Sequence, residues 1–298
     1  MKDCILAIDA GGTVFKYTLV SKEGQLLTPV FKLPIHSAGT AQEVLGSYRQ
    51  LITHALELSD SIIGIGVSTP GPFDYDNGTS LMKHKFQAIY GVPLREKLRE
   101  YCGKDIPVWF CHDAVSFLAG EYAFGAGKDY DNVIGITIGT GLGVAVASDG
   151  QVLLGEDKGT REEIYNIPCL EGILEDYVSG RGIAAYYRRL CSKDAALSEI
   201  ANATSLTAKD VGMAAPKDEN ARKAFDEVGC LLGQALAPMI AKYGVEAVVI
   251  GGQVANSFAW MKEGIERGIG NDACKVLRAQ EIDYSAMKGV LALQALYS

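Results

Sequence analysis

Apolar and polar positions along the chain fall into two similar sets of strands, each broken by a glycine turn. The first apolar run, Ile5 to Ile8, ends in Asp9, passes through Ala10, Gly11, Gly12 and Thr13, and re-enters strand-forming residues from Val14 to Val20. The second, Val133 to Ser148, repeats the pattern around Gly139-Thr140-Gly141-Leu142-Gly143. Each copy then reaches a further turn, Glu23-Gly24 or Asp149-Gly150, and a third strand candidate, Gln25–Phe31 or Gln151–Gly155. Between and after these copies the period changes. Thr40 and Glu43 form a capping box ahead of Val44, Leu45, Tyr48, Leu51, Ile52, Ala55 and Leu56, which share one helical face. Ile62–Val67 and Ile106–Cys111 read as buried strands, and Pro93 opens a helix at its first position. Residues 181–244 read as helices, with Asp218 starting a long one whose end Pro238 is expected to kink. Ala247–Ile250 is a strand ending in Gly251-Gly252, and Ser285–Leu296 is the last helix.

Two glycine hairpins give this pattern a chemical meaning. Adjacent glycines let a backbone approach a bulky anion and turn its N–H groups toward it, Thr13 adds a hydroxyl, and Asp9 could hold hydrated magnesium. An ordinary hairpin with glycine in its turn accounts for either copy alone. The duplication is what points to a polyphosphate clamp. Pro70, Gly71 and Pro72 form a stiffened strand exit that is equally readable as a binding loop. Asp113, directly after the strand Ile106–Cys111 and His112, is placed to be a helix N-cap.

Composition adds limits. With 298 residues, 48% of them hydrophobic and 21% charged, the chain has the make-up of a globular protein of two domains. A formal charge of -8 argues against nucleic acid as a partner. Seven scattered cysteines without a CxxC pair point to reduced thiols. The first strand begins within four residues, and no apolar run reads as long enough to cross a bilayer, so a cytoplasmic location with no membrane partner is expected.

Four motifs, in their order and spacing over nearly the whole chain, resemble those of the ROK sugar kinases, whose fold is that of actin and hexokinase. They are Asp9-Ala10-Gly11-Gly12-Thr13 with Lys16, the proline-glycine loop Val67–Asp74, Gly139–Gly143, and Val248–Val254. The resemblance implies an α/β protein of two domains, with the actin-like, ribonuclease H-like ATPase fold and a cleft between the domains. Residues 1–112, completed by helix 285–298, would form the first domain, and 113–284 the second. It implies an ATP-dependent kinase acting on a hexose or hexose derivative, at the 6-OH, with magnesium, and a homodimer. On this likeness Asp113 is the catalytic base; Asp9, Gly11, Gly12, Thr13, Lys16, Thr140, Gly141, Gly251 and Gly252 hold the nucleotide, with Asp9 also positioning magnesium. Glu163 and Glu175 match the family's sugar-binding carboxylates, although composition alone reads them as a solvated helix face.

The chain also departs from the family. His112 stands where the family has asparagine before the aspartate, and Lys83, His84, Lys85 and Phe86 replace an asparagine-aromatic sugar motif, His84 reading as a solvated loop residue. Asn166 replaces a histidine, and Cys169 is the lone thiol nearby, so the family's structural zinc is not expected. His112 and Asn166 remain candidate sugar contacts. Other outcomes are a sugar-responsive transcriptional regulator, which in this family carries an additional N-terminal helix-turn-helix domain, or a catalytically silent sugar-binding protein.

Overall fold

The computed structural model describes residues 3–83, 85–192 and 199–297, so His84 lies outside the described residues. The chain divides into two compact units. The first comprises the chain up to Gly125, Leu153–Arg161, and the chain from Asp283 on; the second comprises Ala126–Val152 and Glu162–Ile282.

In chain order, the first unit holds β1 (Cys4–Ala10), β2 (Val14–Ser21), β3 (Phe31–Pro34), α1 (Ala41–Leu58) and β4 (Ile62–Thr69). There follow a small ribbon of β5 (Phe73–Asp74) and β6 (Thr79–Ser80), then α2 (Leu94–Cys102), β7 (Val108–His112) and α3 (Asp113–Phe124). Its sheet runs β3-β2-β1-β4-β7, with β1 antiparallel to β2 and parallel to β4, and β4 parallel to β7. The second unit holds β8 (Val133–Ile138), β9 (Leu142–Ser148), β10 (Gln151–Leu153), a ribbon of β11 (Pro168–Cys169) and β12 (Gly172–Ile173), α4 (Gly180–Cys191), α5 (Ala208–Ala214) and α6 (Glu219–Tyr243). It ends with β13 (Ala247–Gly251), α7 (Phe258–Ile269) and β14 (Lys275–Arg278). Its sheet order, β10-β9-β8-β13-β14, repeats the first, with β8 antiparallel to β9 and parallel to β13, and β13 parallel to β14. The duplication seen in the hydrophobic pattern is therefore a duplication of topology. α8 (Ser285–Ala292) and α9 (Gln294–Tyr297) return to the first unit, separated at Leu293 rather than forming one helix.

Local chemistry explains where the elements begin. Thr40 caps α1 by the expected capping box, its hydroxyl accepting from Glu43 N–H while Glu43 accepts from Thr40 N–H. Pro93 is the N-cap of α2 rather than its first residue. The third strand starts only at Phe31, because Leu19 N–H donates to the Thr28 hydroxyl and Pro29 has no N–H to offer a ladder. α6 runs through Pro238 to a left-handed cap at Gly244. This helix is long and apolar enough by composition to cross a membrane, contrary to the sequence expectation, yet half of that apolar stretch is buried. Phe225, Val228, Leu232 and Leu236 are fully buried on it, and Arg222, Lys223, Asp226 and Glu227 interrupt its first half. It is the core helix of the second unit.

The helix after β7, which the sequence reading assigns to the second domain, packs within the first unit against α8. Gly120 and Gly289 make this possible: a Cβ on Gly120 would sit 1.9 Å from Ser285 O, and one on Gly289 would sit 1.7 Å from Ser116 O. Trp109, fully buried in β7, fixes α8 further by donating from Nε1 to Val290 O at 2.8 Å. Gly289→Ala should therefore destabilise the fold by about 3 kcal/mol through overpacking. Gly46→Ala, on an open face of α1 with no atom within 4 Å, should stabilise by about 0.5 to 1 kcal/mol. Chemical denaturation of both variants checks the pair, and equal effects would contradict the crossing geometry.

Candidate active site

In the first unit the functional candidates collect at the carboxyl ends of the parallel strands, where open α/β sheets place ligands. Asp9 ends the run of β1 and lies in register with Ser68 of β4, which is in turn level with Cys111 of β7. Asp9 is half-buried, and burial pushes its carboxyl up to about 6, with Asp113 and Asp283 adding to the rise and Lys16 opposing it. Lys16 is Asp9's cross-strand neighbour. Its ammonium is committed elsewhere, donating to Asp283 Oδ1 at 3.1 Å, and this contact holds the Asp283 carboxyl below the usual range. Between these strands, Gly11 is required by close approach, since a Cβ there would lie 2.8 Å from Val14 O. The Gly12 and Thr13 N–H groups donate to no acceptor among the described residues. Thr13 O accepts from Ile35 N–H at 2.9 Å, which ties the loop to the end of β3.

Asp113 is not the N-cap of its helix. That role falls to His112, whose Nδ1 accepts from Ala114 N–H at 3.2 Å, while Asp113 is the first helical residue. The same N–H reaches Asp113 Oδ1 at 2.7 Å, and Nδ1 and Oδ1 stand 3.1 Å apart. The displacement follows from β7 running one residue further than expected, to His112. Asp113 keeps nearly half its side chain exposed, so its carboxylate is available to a ligand.

The second unit builds its hairpin differently. Gly139 N–H closes the turn on Gly141 O at 3.0 Å, and Gly139 O accepts from Gly180 N–H at 2.8 Å, which seats the start of α4 against the turn. Glu175 Oε2 accepts from Leu142 N–H at 2.9 Å and would lie 2.7 Å from a Cβ on Gly141. Arg181 reaches the other oxygen, Oε1, at 3.4 Å. Glu175 is thus brought to the glycine turn, while Glu163 and Asn166 are exposed and Thr140 projects from the tip. Glu162, next to Glu163, is the one held by Lys242 and Tyr243. Gly251 ends β13 in the core, and Gly252 adopts φ +77° with Ile138 O 2.4 Å from where a Cβ would be. Gly252 is therefore demanded by packing on β8, whatever it also does for a ligand.

Among the described residues no group of three His, Cys, Asp or Glu side chains is close enough to hold a metal ion by itself. Magnesium needs no such cage, since it is held by one or two carboxylates together with substrate phosphates. The residues to which the sequence assigned no role in the site are Asp283, which takes Lys16, and Ser37 and Lys85, which flank Gly12 at 3.6 Å from its Cβ position. Neither Asp283 nor Ser37 stands in a motif, so only the fold reveals them. Because Asp9 binds its proton more tightly folded than unfolded, stability should fall as pH rises from about 4 to about 6. Asp9→Asn should remove that part of the slope and raise stability at pH 7 by about 2 kcal/mol, allowing for partial exposure. Urea unfolding of both proteins at pH 4.5 and pH 7 without added metal provides the comparison.

A family model described as ROK family matches residues 5–295. The glucokinase of Thermotoga maritima is 29% identical over 273 residues, covering 85% of this chain and 83% of that protein. The DNA-binding transcriptional dual regulator NagC of Escherichia coli K12 is 25% identical over 291 residues, covering 88% of this chain and 68% of that protein. Among solved structures, a ROK family glucokinase from Streptomyces griseus in complex with glucose and AMPPNP superposes with a TM-score of 0.81 at 25% identity, covering 97% of this chain and 98% of that one.

Proposed function

This chain belongs to the ROK family and has the actin-like ATPase fold of its sugar kinases, and from that premise we propose that it transfers the γ-phosphoryl group of ATP to a sugar hydroxyl. The 6-OH of a hexose or hexose derivative is the acceptor in this reading. The observation that carries it is the exposed Asp113 carboxylate at the carboxyl end of β7, in the same unit as the Asp9–Thr13 loop, whose Gly12 and Thr13 N–H groups donate to no acceptor among the described residues. Glucokinases among the relatives, one of them solved with glucose and a nucleotide, support the same reading.

Roles follow from what each side chain can do. Asp113 accepts the hydroxyl proton as the oxygen attacks, its Oδ1 oriented by Ala114 N–H, which it shares with His112 Nδ1. In this reading Gly11, Gly12, Thr13, Thr140 and Gly141 offer backbone N–H groups and hydroxyls to phosphates. Gly251 and Gly252 lie toward the adenosine. Asp9 suits a magnesium-bearing nucleotide, because a cation beside it offsets the burial that pushes its carboxyl up to about 6. Bound magnesium supplies neutralisation of β- and γ-phosphate charge. His112, Glu163, Asn166 and Glu175 are the sugar contacts in this reading, with Glu175 already oriented by Leu142 N–H and Arg181.

The match to NagC favours a second reading, a sugar-sensing protein without turnover. Asp113→Asn separates the two. Kinase chemistry predicts a loss of about 100-fold to 10,000-fold in ADP release, with nucleotide affinity and melting temperature kept. Since His112 supplies the cap, the stability of the variant should be close to that of wild type. A variant of undiminished activity would rule out Asp113 as the base.

A further inference from the structure

The first glycine loop is flanked by a lysine that the family pattern does not provide. Lys85 lays its stem along Gly12, with Cδ 3.6 Å and Cε 3.9 Å from the Cβ position of that glycine, and Ser37 Oγ lies 3.6 Å from the same position. Its ammonium, one C–N bond of about 1.5 Å further on, stays within roughly 5.5 Å of the same point. The placement is enforced by the neighbouring residue. Phe86 is buried against Phe15 at the start of β2, donates its N–H to Ser37 O at 3.1 Å, and takes up a left-handed conformation at φ +51°. A bulky side chain adopts that region only where its surroundings overrule the strain. Anchored in this way, the half-buried Lys85 has no hydrogen bond or ion pair to any described residue.

A cation fixed against a phosphate-type loop, without a counter-ion among the described residues, is an unmatched half of an interaction. Lys16, the basic residue of the loop motif, cannot supply the other half freely, because its ammonium is held by Asp283 at 3.1 Å. Asp9 and Asp113, in the same unit, would repel an incoming phosphoryl group. Resting on the kinase reading, we infer that Lys85 is a phosphoryl-binding residue whose ammonium pairs with the terminal phosphoryl group of the nucleoside triphosphate beside the Gly12 and Thr13 N–H groups. Lysine serves this purpose as a mobile point charge, and its stem has already lost much of its freedom on Gly12. The sequence change that removes the family's asparagine at this point thereby adds positive charge to the phosphate side.

Calorimetric titration with magnesium-AMPPNP and with magnesium-ADP tests the assignment in wild type, Lys85→Met and Lys85→Arg. Methionine keeps the stem against Gly12, so the melting temperature should not move. The expected result is a loss of about 10-fold or more in AMPPNP affinity for Lys85→Met, a change below about 2-fold for ADP, and recovery of most of the loss in Lys85→Arg. Unchanged AMPPNP affinity in Lys85→Met, as when the ammonium serves an anionic group on the sugar instead, overturns the inference and leaves the kinase reading standing. So does an equal loss for both nucleotides. Wild-type protein that binds neither nucleotide overturns both.

Discussion

A carboxylate held partly out of water at the end of a strand sets the terms for the rest of the first unit. Burial where β1 delivers Asp9 penalises its charge, so a cation beside it is favoured and its carboxyl is pushed up to about 6. Lys16, directly across the hairpin, supplies part of the match, but Asp283 draws that ammonium away at the point where the chain returns to this unit. What is left is a site of incomplete compensation beside free N–H groups. Such a site favours a ligand that carries both signs, an anionic polyphosphate with its own divalent cation.

The glycines around this centre answer different demands. Gly11 is set by the Val14 carbonyl, Gly252 by β8 and Gly289 by the α3 crossing, so all three would be required of the fold without any ligand. Gly12 is different, since its neighbours are a hydroxyl and a flexible stem at ordinary contact distance. Its open face is available for chemistry. The second hairpin spends its equivalent freedom on Glu175, whose carboxylate fills the space beside Gly141 and binds the backbone of the turn.

Much of this was legible in the sequence because period, turn glycines and strand ends are local signals. The two-copy pattern correctly anticipates two sheets of identical order, and the capping box of α1 is present as read. The misreadings have non-local causes. The N-cap passed from Asp113 to His112 because strand pairing with β4 extends β7 to Thr69's partner. The first-unit allegiance of α3 depends on glycines far apart in sequence, and α6, which the sequence reading does not take as long enough to span a bilayer, reaches that length and composition with half of its apolar stretch buried. Lys85 looked like a mere departure from a motif, since its contact with Gly12 spans more than seventy residues and is visible only in three dimensions.

The claim that this chemistry amounts to phosphoryl transfer meets its most direct test in the wild-type protein. ADP release should be followed with magnesium-ATP across hexoses, N-acetylhexosamines and β-glucosides. The account predicts release that depends on one class of sugar and turns over at roughly 1 per second or faster, within the ordinary range for kinases. Sugar binding demonstrated by calorimetry, with no sugar-dependent ADP release from any of the panel, would contradict it.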